Sequence, residues 1–400
     1  MHYLNALIRH GLRRAPLGVL LPLLLMLLAC GTTIPAGCGQ PPPGRDGEQG
    51  RTADSSVRFR VETVAGGLEV PWSIVFLPDG RILVTERPGR VRVIENGQLR
   101  TEPFAVIPDV EASGESGLMG MTLHPAFAQN HYIYLSYAYT AGDQFVRVAR
   151  YRETPNGLVE PMTLIEGIPS AANHAGCRIR FGPDGKLYIT TGDATERGLA
   201  QQLGSLGGKI LRLNDDGSVP EDNPFIGRPG ARPEIWTYGH RNPQGIDWQP
   251  GTGLLFETEH GPSGFDGPGG GDEVNTIDKG MNYGWPVVHH QQAHPDMAGP
   301  LLEYTPAVAP GSGSFYTGSA FPQFAGDFFF GCLRGETIIR VQLDGRTVQA
   351  QERMLQGLYG RIRDVVTGPD GALYFCTSNR DGRGTAAEND DRILRLVPAE

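Results

Sequence analysis

One stretch of the chain decides the fold: Phe181-Gly182-Pro183-Asp184-Gly185-Lys186-Leu187-Tyr188-Ile189-Thr190. Its Pro-Asp-Gly core predicts a tight turn, because proline presets φ and glycine tolerates a positive φ. The Leu-Tyr-Ile-Thr run that follows has the β-branched and aromatic side chains typical of a strand. Asn173-His174 precedes this unit. An isolated histidine therefore stands at the entrance of a turn-and-strand element.

The same unit recurs along the sequence. Two plain copies are Leu77-Pro78-Asp79-Gly80-Arg81-Ile82-Leu83-Val84-Thr85 and Gly368-Pro369-Asp370-Gly371-Ala372-Leu373-Tyr374-Phe375, and weaker copies begin at His124, Gln249 and Phe321. Six units result, at intervals of about 47 to about 72 residues, against the about 40 to 50 residues of known propeller blades. The middle blades are therefore expected to carry long loops.

We predict an all-β protein, a six-bladed β-propeller of four-stranded antiparallel blades. The strands at residues 59–64 and 392–396 are expected to close the ring within one blade, which hides the free strand edges. The alternative architecture is an open pair of β-sandwiches, which six similar turns disfavour. The 56 glycines and 32 prolines agree with many short strands joined by turns.

The N-terminus has the pattern of an export signal. Residues 9–14 form a basic region with three arginines, and residues 17–28 form an apolar run too short for a comfortable membrane span. Cys30 ends a small-residue cleavage site. We predict a lipoprotein-type signal peptide over residues 1–29, with Cys30 as the lipid-bearing residue. An ordinary secretory signal is the alternative, and Cys38 ends a second, poorer box. Both predict a periplasmic protein or a membrane-anchored lipoprotein.

Two further divisions of the chain follow. Residues 30–56, rich in Pro, Gly and charged residues, are expected to form a disordered tether, and residues 57–400 the propeller catalytic domain. Cys177, Cys332 and Cys376 are an odd set that does not predict a disulfide framework. Cys332 and Cys376 could pair, but buried free thiols are favoured. The net charge of −9 argues against nucleic acid as a partner.

Polar segments from different repeat units are expected to meet at one end of the propeller axis. They include residues 114–120, 173–174, 239–243, 259–262, 331–335 and 361–364. One histidine, His174, would then lie among Arg241, Arg334, Arg361 and Arg363. Guanidinium groups bind carboxylates in a bidentate manner, so this pocket is suited to a ligand with several negative charges.

The chain resembles a known family over residues 57–398. Its landmarks are Pro71-Trp72, Val84-Thr85-Glu86-Arg87, Gly117-Leu118-Met119-Gly120, the His174 segment, Tyr238-Gly239-His240-Arg241-Asn242, Glu259-His260-Gly261-Pro262, Gly271-Asp272-Glu273-Val274-Asn275, Asn282-Tyr283-Gly284-Trp285-Pro286 and Arg361-Ile362-Arg363-Asp364. The family is that of the soluble, pyrroloquinoline-quinone (PQQ)-dependent sugar dehydrogenases (glucose/sorbosone dehydrogenase-like). The aldose sugar dehydrogenase branch is the most similar.

The resemblance implies a reaction and a PQQ site. His174 would take the proton of the sugar C1 hydroxyl while hydride leaves C1 for C5 of the quinone, giving a lactone; an ordinary imidazole is mostly neutral at neutral pH. Electrons would pass to an external acceptor such as a quinone, a dye or a cytochrome. Arg241 would lie over the quinone and stabilise its negative charge. The remaining implied cofactor contacts are Glu115, Asn242, Arg334, Arg361 and Arg363, the last three holding carboxylates.

The resemblance also implies calcium. The backbone carbonyls of Gly261 and Pro262 would help to hold the ion that binds PQQ, since calcium prefers oxygen ligands. A second, structural ion would use Glu273 and the carbonyl of Tyr283. The loop at residues 265–271 is longer than the resemblance predicts.

Two residues depart from the glucose-oxidising relatives. Glu115 stands in place of a glutamine and would repel a polyanion unless it is protonated or turned towards an arginine or calcium. Asn173 stands in place of an aspartate and removes a charge that could orient His174.

Alternative interpretations remain. His289, His290 and His294 have the spacing of a loop metal site, although such runs are more often exposed. A calcium-dependent propeller hydrolase, such as a lactonase, would need an axial calcium ringed by Glu, Asn and Asp side chains. A propeller binding module without catalysis would have its arginine cluster dispersed or covered.

Overall fold

Short antiparallel strands make up almost all of the regular structure. The computed structural model describes residues 46–53 and 56–399. The strands of the first half are β1 (Gln49–Arg51), β2 (Arg58–Ala65), β3 (Pro71–Phe76), β4 (Ile82–Glu86), β5 (Arg90–Glu95), β6 (Gln98–Leu99), β7 (Ala105–Val106), β8 (Leu118–Leu123), β9 (Tyr132–Ala141), β10 (Asp143–Thr154), β11 (Gly157–Pro169), β12 (Ile179–Phe181) and β13 (Leu187–Thr191).

The second half continues in the same way. Its strands are β14 (Lys209–Leu213), β15 (Ile235–Tyr238), β16 (Pro243–Trp248), β17 (Leu255–Glu259), β18 (Asp272–Ile277), β19 (Leu302–Tyr304), β20 (Ser314–Phe315), β21 (Phe328–Cys332), β22 (Thr337–Asp344), β23 (Thr347–Met354), β24 (Ile362–Thr367), β25 (Leu373–Thr377) and β26 (Ile393–Pro398). The described helices are one α-helical turn, α1 (Phe127–Asn130), and two 3₁₀ turns, Arg197–Gln201 and Pro322–Phe324.

The strands form six antiparallel sheets, which confirms the six-bladed propeller. Four sheets have four strands in sequence order: β8 to β11, β12 to β15, β16 to β19 and β20 to β23. Another contains β3 to β6, with β7 paired to β5. The last blade has the order β1-β2-β26-β25-β24, in which Val61 of β2 lies opposite Leu396 of β26. The predicted closure of the ring by the two ends of the chain is confirmed.

The repeated turn joins the first and second strands of a blade. In three of these turns a glycine has a positive φ: Gly80 (90°), Gly185 (71°) and Gly371 (78°). The N–H of each glycine donates to the carbonyl three residues earlier, at 2.9 or 3.0 Å. The aspartate before each glycine accepts a bond from the N–H two residues further on, at 3.1 Å. The Pro-Asp-Gly signal therefore marks a defined place in the fold.

The first strands of the blades surround the axis. Each of β3, β8, β12, β16, β20 and β24 contacts the first strand of the next blade, and β24 returns to β3. The second strands β4, β13, β17, β21 and β25 are buried along their whole length, because neighbouring blades cover both faces. The outer strand β23 is mostly exposed. Loops between blades are thus held around the axis by a rigid inner ring.

The remaining predictions concern the cysteines and the N-terminal segments. Cys177, Cys332 and Cys376 are buried free thiols, as favoured from the sequence. The signal peptide, Cys30 and Cys38 lie outside the described residues. Strand β1 lies inside the segment predicted as a tether and pairs with β2, so ordered structure begins before residue 57. Across residues 46–53 and 56–399, no helix has the length and apolar character needed to span a membrane.

Candidate active site

Loops of several blades line one cavity of about 320 Å³, called the arginine cavity below. Three arginines, two acids and the Gly261-Pro262 backbone share its wall. The lining residues are Glu115, His260, Gly261, Pro262, Ser263, Asp272, Ala307, Ala309, Leu333, Arg334, Arg361 and Arg383. Both cationic and oxygen-rich surfaces therefore face the same space.

His174 does not line this cavity, but its backbone N–H donates to Glu115, which does, and a buried carboxylate holds its side chain. Its side chain is 5% exposed, and its Nδ1 lies 2.7 Å from Oδ1 of Asp193. Asp193 follows strand β13, and its other oxygen accepts a hydrogen bond from Trp285 Nε1 at 2.8 Å. A carboxylate partner selects the tautomer with the proton on Nδ1, which leaves Nε2 as the basic nitrogen. Asp193 thus supplies the orienting charge that Asn173 lacks.

Glu115 is turned towards an arginine. Its Oε1 forms an ion pair with Arg383, and its Oε2 accepts the backbone N–H of His174 at 3.2 Å. Burial opposes ionisation of this carboxyl, but the charges of His260 and Arg383 outweigh it and lower the pKa of Glu115 to about 2. The carboxylate is therefore ionised and paired, one of the outcomes expected for an acid at this position.

Arg241 is buried under the long loop at residues 263–271. Its Nε pairs with Asp266 at 2.7 Å, and its Nη2 donates to Ser263 Oγ at 3.0 Å. Phe265 of the same loop is 68% exposed, and its ring stacks near the His174 ring with centroids 6.1 Å apart. The extra loop residues therefore reach both functional side chains predicted from the sequence.

The other predicted arginines divide into two positions. Arg334 and Arg361 line the arginine cavity, and Arg361 pairs with Asp381 at 2.7 Å. Arg363 is buried, donates to Gln244 Oε1 at 2.8 Å and lies 5.4 Å from the Trp72 ring. Burial lowers the pKa of Arg363 to about 10, and its Nε has no hydrogen-bond partner.

Asn242 connects the buried Arg363 to the His174 segment. Its Oδ1 accepts hydrogen bonds from the backbone of Gly176 at 3.2 Å and from Gln244 Nε2 at 2.9 Å. Gln244 also accepts the bond from Arg363. The predicted residues Asn242 and Arg363 are thus joined through one glutamine.

A second group of acids is buried between strands β17 and β18. Ligand atoms of His240, Glu257 and Glu259 lie within 4.8 Å of one another. Glu273 lies opposite Glu259 across the sheet, and Asn275 Nδ2 donates to both Glu257 and Glu273. Burial raises the pKa of Glu259 to about 8 and the pKa values of Glu257 and Glu273 well above their ordinary range. We call these five residues the carboxylate cluster.

Two oxygens of the carboxylate cluster lack partners. Glu257 Oε1 and Asn275 Oδ1 are buried without a hydrogen bond. The ring of Tyr283 stacks on His240 with centroids 4.7 Å apart, so Tyr283 adjoins the cluster that contains Glu273. Buried oxygens with unused lone pairs and several carboxylates are the donors that calcium prefers.

Gly261 and Pro262 also lie where a ligand could contact them. Both line the arginine cavity, and the Gly261 N–H donates to Asp272 Oδ1 at 2.8 Å. A side chain at position 261 would collide with the carbonyls of Gly270 and Gly271. Glycine is therefore required there for the close approach of the two backbone segments.

The three-histidine interpretation gains no support. Within the described ranges, the group of three metal-ligating side chains that converges is His240, Glu257 and Glu259. His289 and His290 bond each other at 2.9 Å, while His294 Nδ1 accepts the N–H of Asp296. These contacts indicate a locally satisfied loop.

Comparison with known proteins gives a consistent result. Residues 68–394 match the glucose/sorbosone dehydrogenase family. The chain is 37% identical over 342 residues to the aldose sugar dehydrogenase YliI of Escherichia coli, covering 80% of this chain and 91% of that protein. It is 36% identical to the PQQ-bound aldose sugar dehydrogenase of Streptomyces coelicolor, with a TM-score of 0.74 and coverage of 85% and 98%. A Thermus thermophilus structure described as a glucose dehydrogenase is 48% identical, with a TM-score of 0.79 and coverage of 85% and 100%.

Proposed function

The chain belongs to the glucose/sorbosone dehydrogenase family, and from this premise we propose that it is a PQQ- and calcium-dependent aldose sugar dehydrogenase. It oxidises the C1 hydroxyl of aldoses to lactones and passes electrons to an external acceptor outside the cytoplasm, in keeping with the N-terminal sequence pattern. The observation that carries the proposal is the buried His174–Asp193 pair, which a hydrogen bond to Glu115 connects to an arginine-lined cavity. Apoprotein supplied with calcium and PQQ is expected to reduce a dye when aldoses are added. No dye reduction across a broad panel of sugars would contradict it.

The residues present fit PQQ. PQQ is planar and carries three carboxylates, and Arg334 and Arg361 line a cavity of about 320 Å³. The buried Arg363 keeps an Nε without a partner, and an unsatisfied buried donor is costly unless a ligand meets it. We infer that Arg334, Arg361 and Arg363 hold the carboxylates, with Asn242 and Glu115 at the edge of the site. When bound, PQQ supplies the oxidant that accepts hydride from the sugar.

His174 acts as the general base. Its Nε2 accepts the proton of the C1 hydroxyl, while Asp193 stabilises the imidazolium that forms. Arg241 places a buried guanidinium near this centre, and Asp266 and Ser263 fix its orientation. A fixed positive charge in a water-poor site stabilises negative charge without reorganisation. Phe265 covers one side of His174 and limits the access of water.

The residues present also fit calcium. Gly261 and Pro262 face the arginine cavity, where their carbonyls would serve an ion bound together with PQQ. Glu273 and the carbonyl of Tyr283 would hold a structural ion, and the unpaired oxygens of Glu257 and Asn275 add donors to that site. Calcium there would neutralise carboxylates that burial otherwise destabilises.

The two rival functions predict different sites. A calcium-dependent hydrolase requires acidic and amide side chains around an axial ion, whereas Arg334, Arg361 and Arg383 line this cavity. A binding module is expected to have dispersed or covered arginines. Arg334 is exposed, and Arg361 and Arg383 reach the same space. The loop at residues 263–271 covers Arg241, but the convergence of Arg334, Arg361 and Arg383 on one cavity favours a dehydrogenase.

Asp193→Asn is expected to lower kcat while leaving the affinity for PQQ within about 3-fold of the native value. An amide cannot accept the Nδ1 proton through its NH₂ group, so His174 loses its fixed tautomer and the stabilisation of its charged form. The loss is part of the about 10²–10⁴-fold that a general base contributes. Steady-state kinetics over a range of pH test this. A native kcat at every pH would contradict the role of Asp193.

Calcium is expected to raise the melting temperature by about 4 °C when present at about 100 times its Kd. Glu273→Gln should remove this increase, while the exposed Glu95→Gln should retain it. Because burial raises the pKa values of Glu257 and Glu273 well above their ordinary range, calcium must displace protons from these carboxyls, and its affinity should rise with increasing pH. Thermal unfolding with and without calcium is the measurement. An equal increase in Glu273→Gln would contradict this structural ion site.

A further inference from the structure

Arg383 contacts both residues that depart from the glucose-oxidising relatives. It lies in the loop between β25 and β26 of the last blade, yet its guanidinium reaches Glu115 and Asn173. We propose that Arg383 is a positioning residue of the cofactor site, which neutralises Glu115 and ties the His174 segment to the last blade. This inference rests on the proposed function and identifies a residue that affects the affinity of the protein for PQQ.

The contacts on one side hold the catalytic histidine. Nη1 of Arg383 binds Glu115 Oε1, and Nη2 donates to Asn173 Oδ1 at 2.7 Å. Glu115 in turn accepts the backbone N–H of His174 through Oε2 at 3.2 Å. His174 has a φ of +59°, a strained conformation for a residue with a side chain. The Arg383–Glu115 contact and the bond from the His174 N–H to Glu115 therefore restrain the strained backbone at His174.

The contacts on the other side hold a second cavity residue. The backbone N–H of Arg383 donates to Asp381 Oδ1 at 2.9 Å, and Asp381 Oδ2 pairs with Arg361 at 2.7 Å. One short stretch of this loop thus fixes both Arg361 and Glu115. Arg87 adds to the connection, since its Nη1 donates to the carbonyls of Gly114 and Asp381.

Charge explains why Glu115 needs this partner. The carboxylate lines the arginine cavity, which has to accept a ligand with three negative charges. An unpaired Glu115 would repel that ligand, whereas the Glu115–Arg383 pair has no net charge. The Arg383 side chain is 53% exposed, so water screens the pair and the expected effect is moderate. A neutral glutamine at position 115 would not need a cationic partner.

A double-mutant cycle tests the proposal. In apoprotein with calcium, Arg383→Gln should raise the Kd for PQQ, measured by titration calorimetry, by about 10-fold. Glu115→Gln with Arg383→Gln should bind PQQ within about 3-fold of Glu115→Gln alone. Arg383→Lys should recover part of the loss. Arg380→Gln is the control from the same loop, because that guanidinium bonds the Asp390 and Glu388 carbonyls.

The outcomes separate this proposal from the proposed function. If the native protein binds PQQ and Arg383→Gln binds it equally well, the proposed role of Arg383 is wrong. The role is also wrong if Arg383→Gln raises the Kd for PQQ as much in the Glu115→Gln background as in the native protein. Equal weakening by Arg380→Gln would also overturn it, because loop order would then be the cause. If the native protein does not bind PQQ, the proposed function fails.

Hydrogen exchange of the apoprotein gives a readout that needs no cofactor. Arg383→Gln should accelerate exchange of the His174 backbone amide, because its acceptor Glu115 loses its anchor. Exchange in an equally buried strand such as β13 should not change. Native exchange rates at His174 in this variant would overturn the positioning role whether or not PQQ binds.

Discussion

His174→Ala is expected to lower kcat for aldose oxidation by about 10²–10⁴-fold, the usual contribution of a general base. The His174 backbone bonds Glu115 of the arginine cavity and its Nδ1 is engaged by Asp193, so Nε2 is the nitrogen left to accept a proton. The carboxylates of PQQ are held by arginines, so the Kd for PQQ should remain within about 3-fold of the native value. Stopped-flow reduction of the bound cofactor measures the chemical step directly.

The histidine control, His294, lies in the loop between β18 and β19. His294→Ala removes an imidazole that accepts a local hydrogen bond from the N–H of Asp296, and its kcat should equal that of the native protein. A His174→Ala variant that reduces bound PQQ at the native rate would show that another group takes the proton.

Arg361→Ala combined with Arg363→Ala is expected to raise the Kd for PQQ by about 10²–10⁴-fold. Each substitution removes a hydrogen bond between charged groups worth about 1.5–3 kcal/mol. Arg361 lines the cavity, and Arg363 offers a buried Nε that lacks a protein partner. Titration calorimetry of the apoprotein measures the loss.

Two checks keep this result interpretable. Arg361→Ala removes the ion pair of Asp381, so thermal unfolding must establish that the double variant is folded. Arg346→Ala, which removes an exposed arginine paired with Asp278, should leave the affinity for PQQ unchanged. PQQ binding of native strength in a folded double variant would mean that the cofactor is held elsewhere.

The fold could be predicted from the sequence because its signal is local and repeated. Each Pro-Asp-Gly turn places a glycine at a positive φ and joins two adjacent strands of one blade, so these turns and their weaker copies indicate the blades one by one. The closing strand pair is predictable for a different reason, since β2 and β26 lie at the two ends of the repeated region and would otherwise have free edges.

The contacts that complete the candidate site are not local. Asp193 meets His174 across 19 residues, and Arg383 meets Asn173 across 210 residues. Nothing in the spacing of these residues indicates the pairing, which depends on the placement of whole loops by the propeller. An acid directly after strand β13 was the available signal for Asp193.

The carboxylate cluster is only partly predictable from the sequence. Glu257 and Glu259 are two apart on β17, so they point to the same face, and the register places Asn275 and Glu273 opposite them on β18. Their alternation is readable in the sequence, but the strand register that joins them is not. The family resemblance therefore indicates Glu273 and Tyr283 but not Glu257 and Asn275.

A single turnover without an electron acceptor tests the central claim most directly. Apoprotein is loaded with calcium and one equivalent of PQQ, mixed anaerobically with an excess of an aldose, and followed by the absorbance of the oxidised quinone. Complete reduction of the quinone with one lactone formed per PQQ is the predicted result, and His174→Ala should show neither at a comparable rate. An unchanged quinone spectrum with every aldose in a broad panel would contradict the assignment.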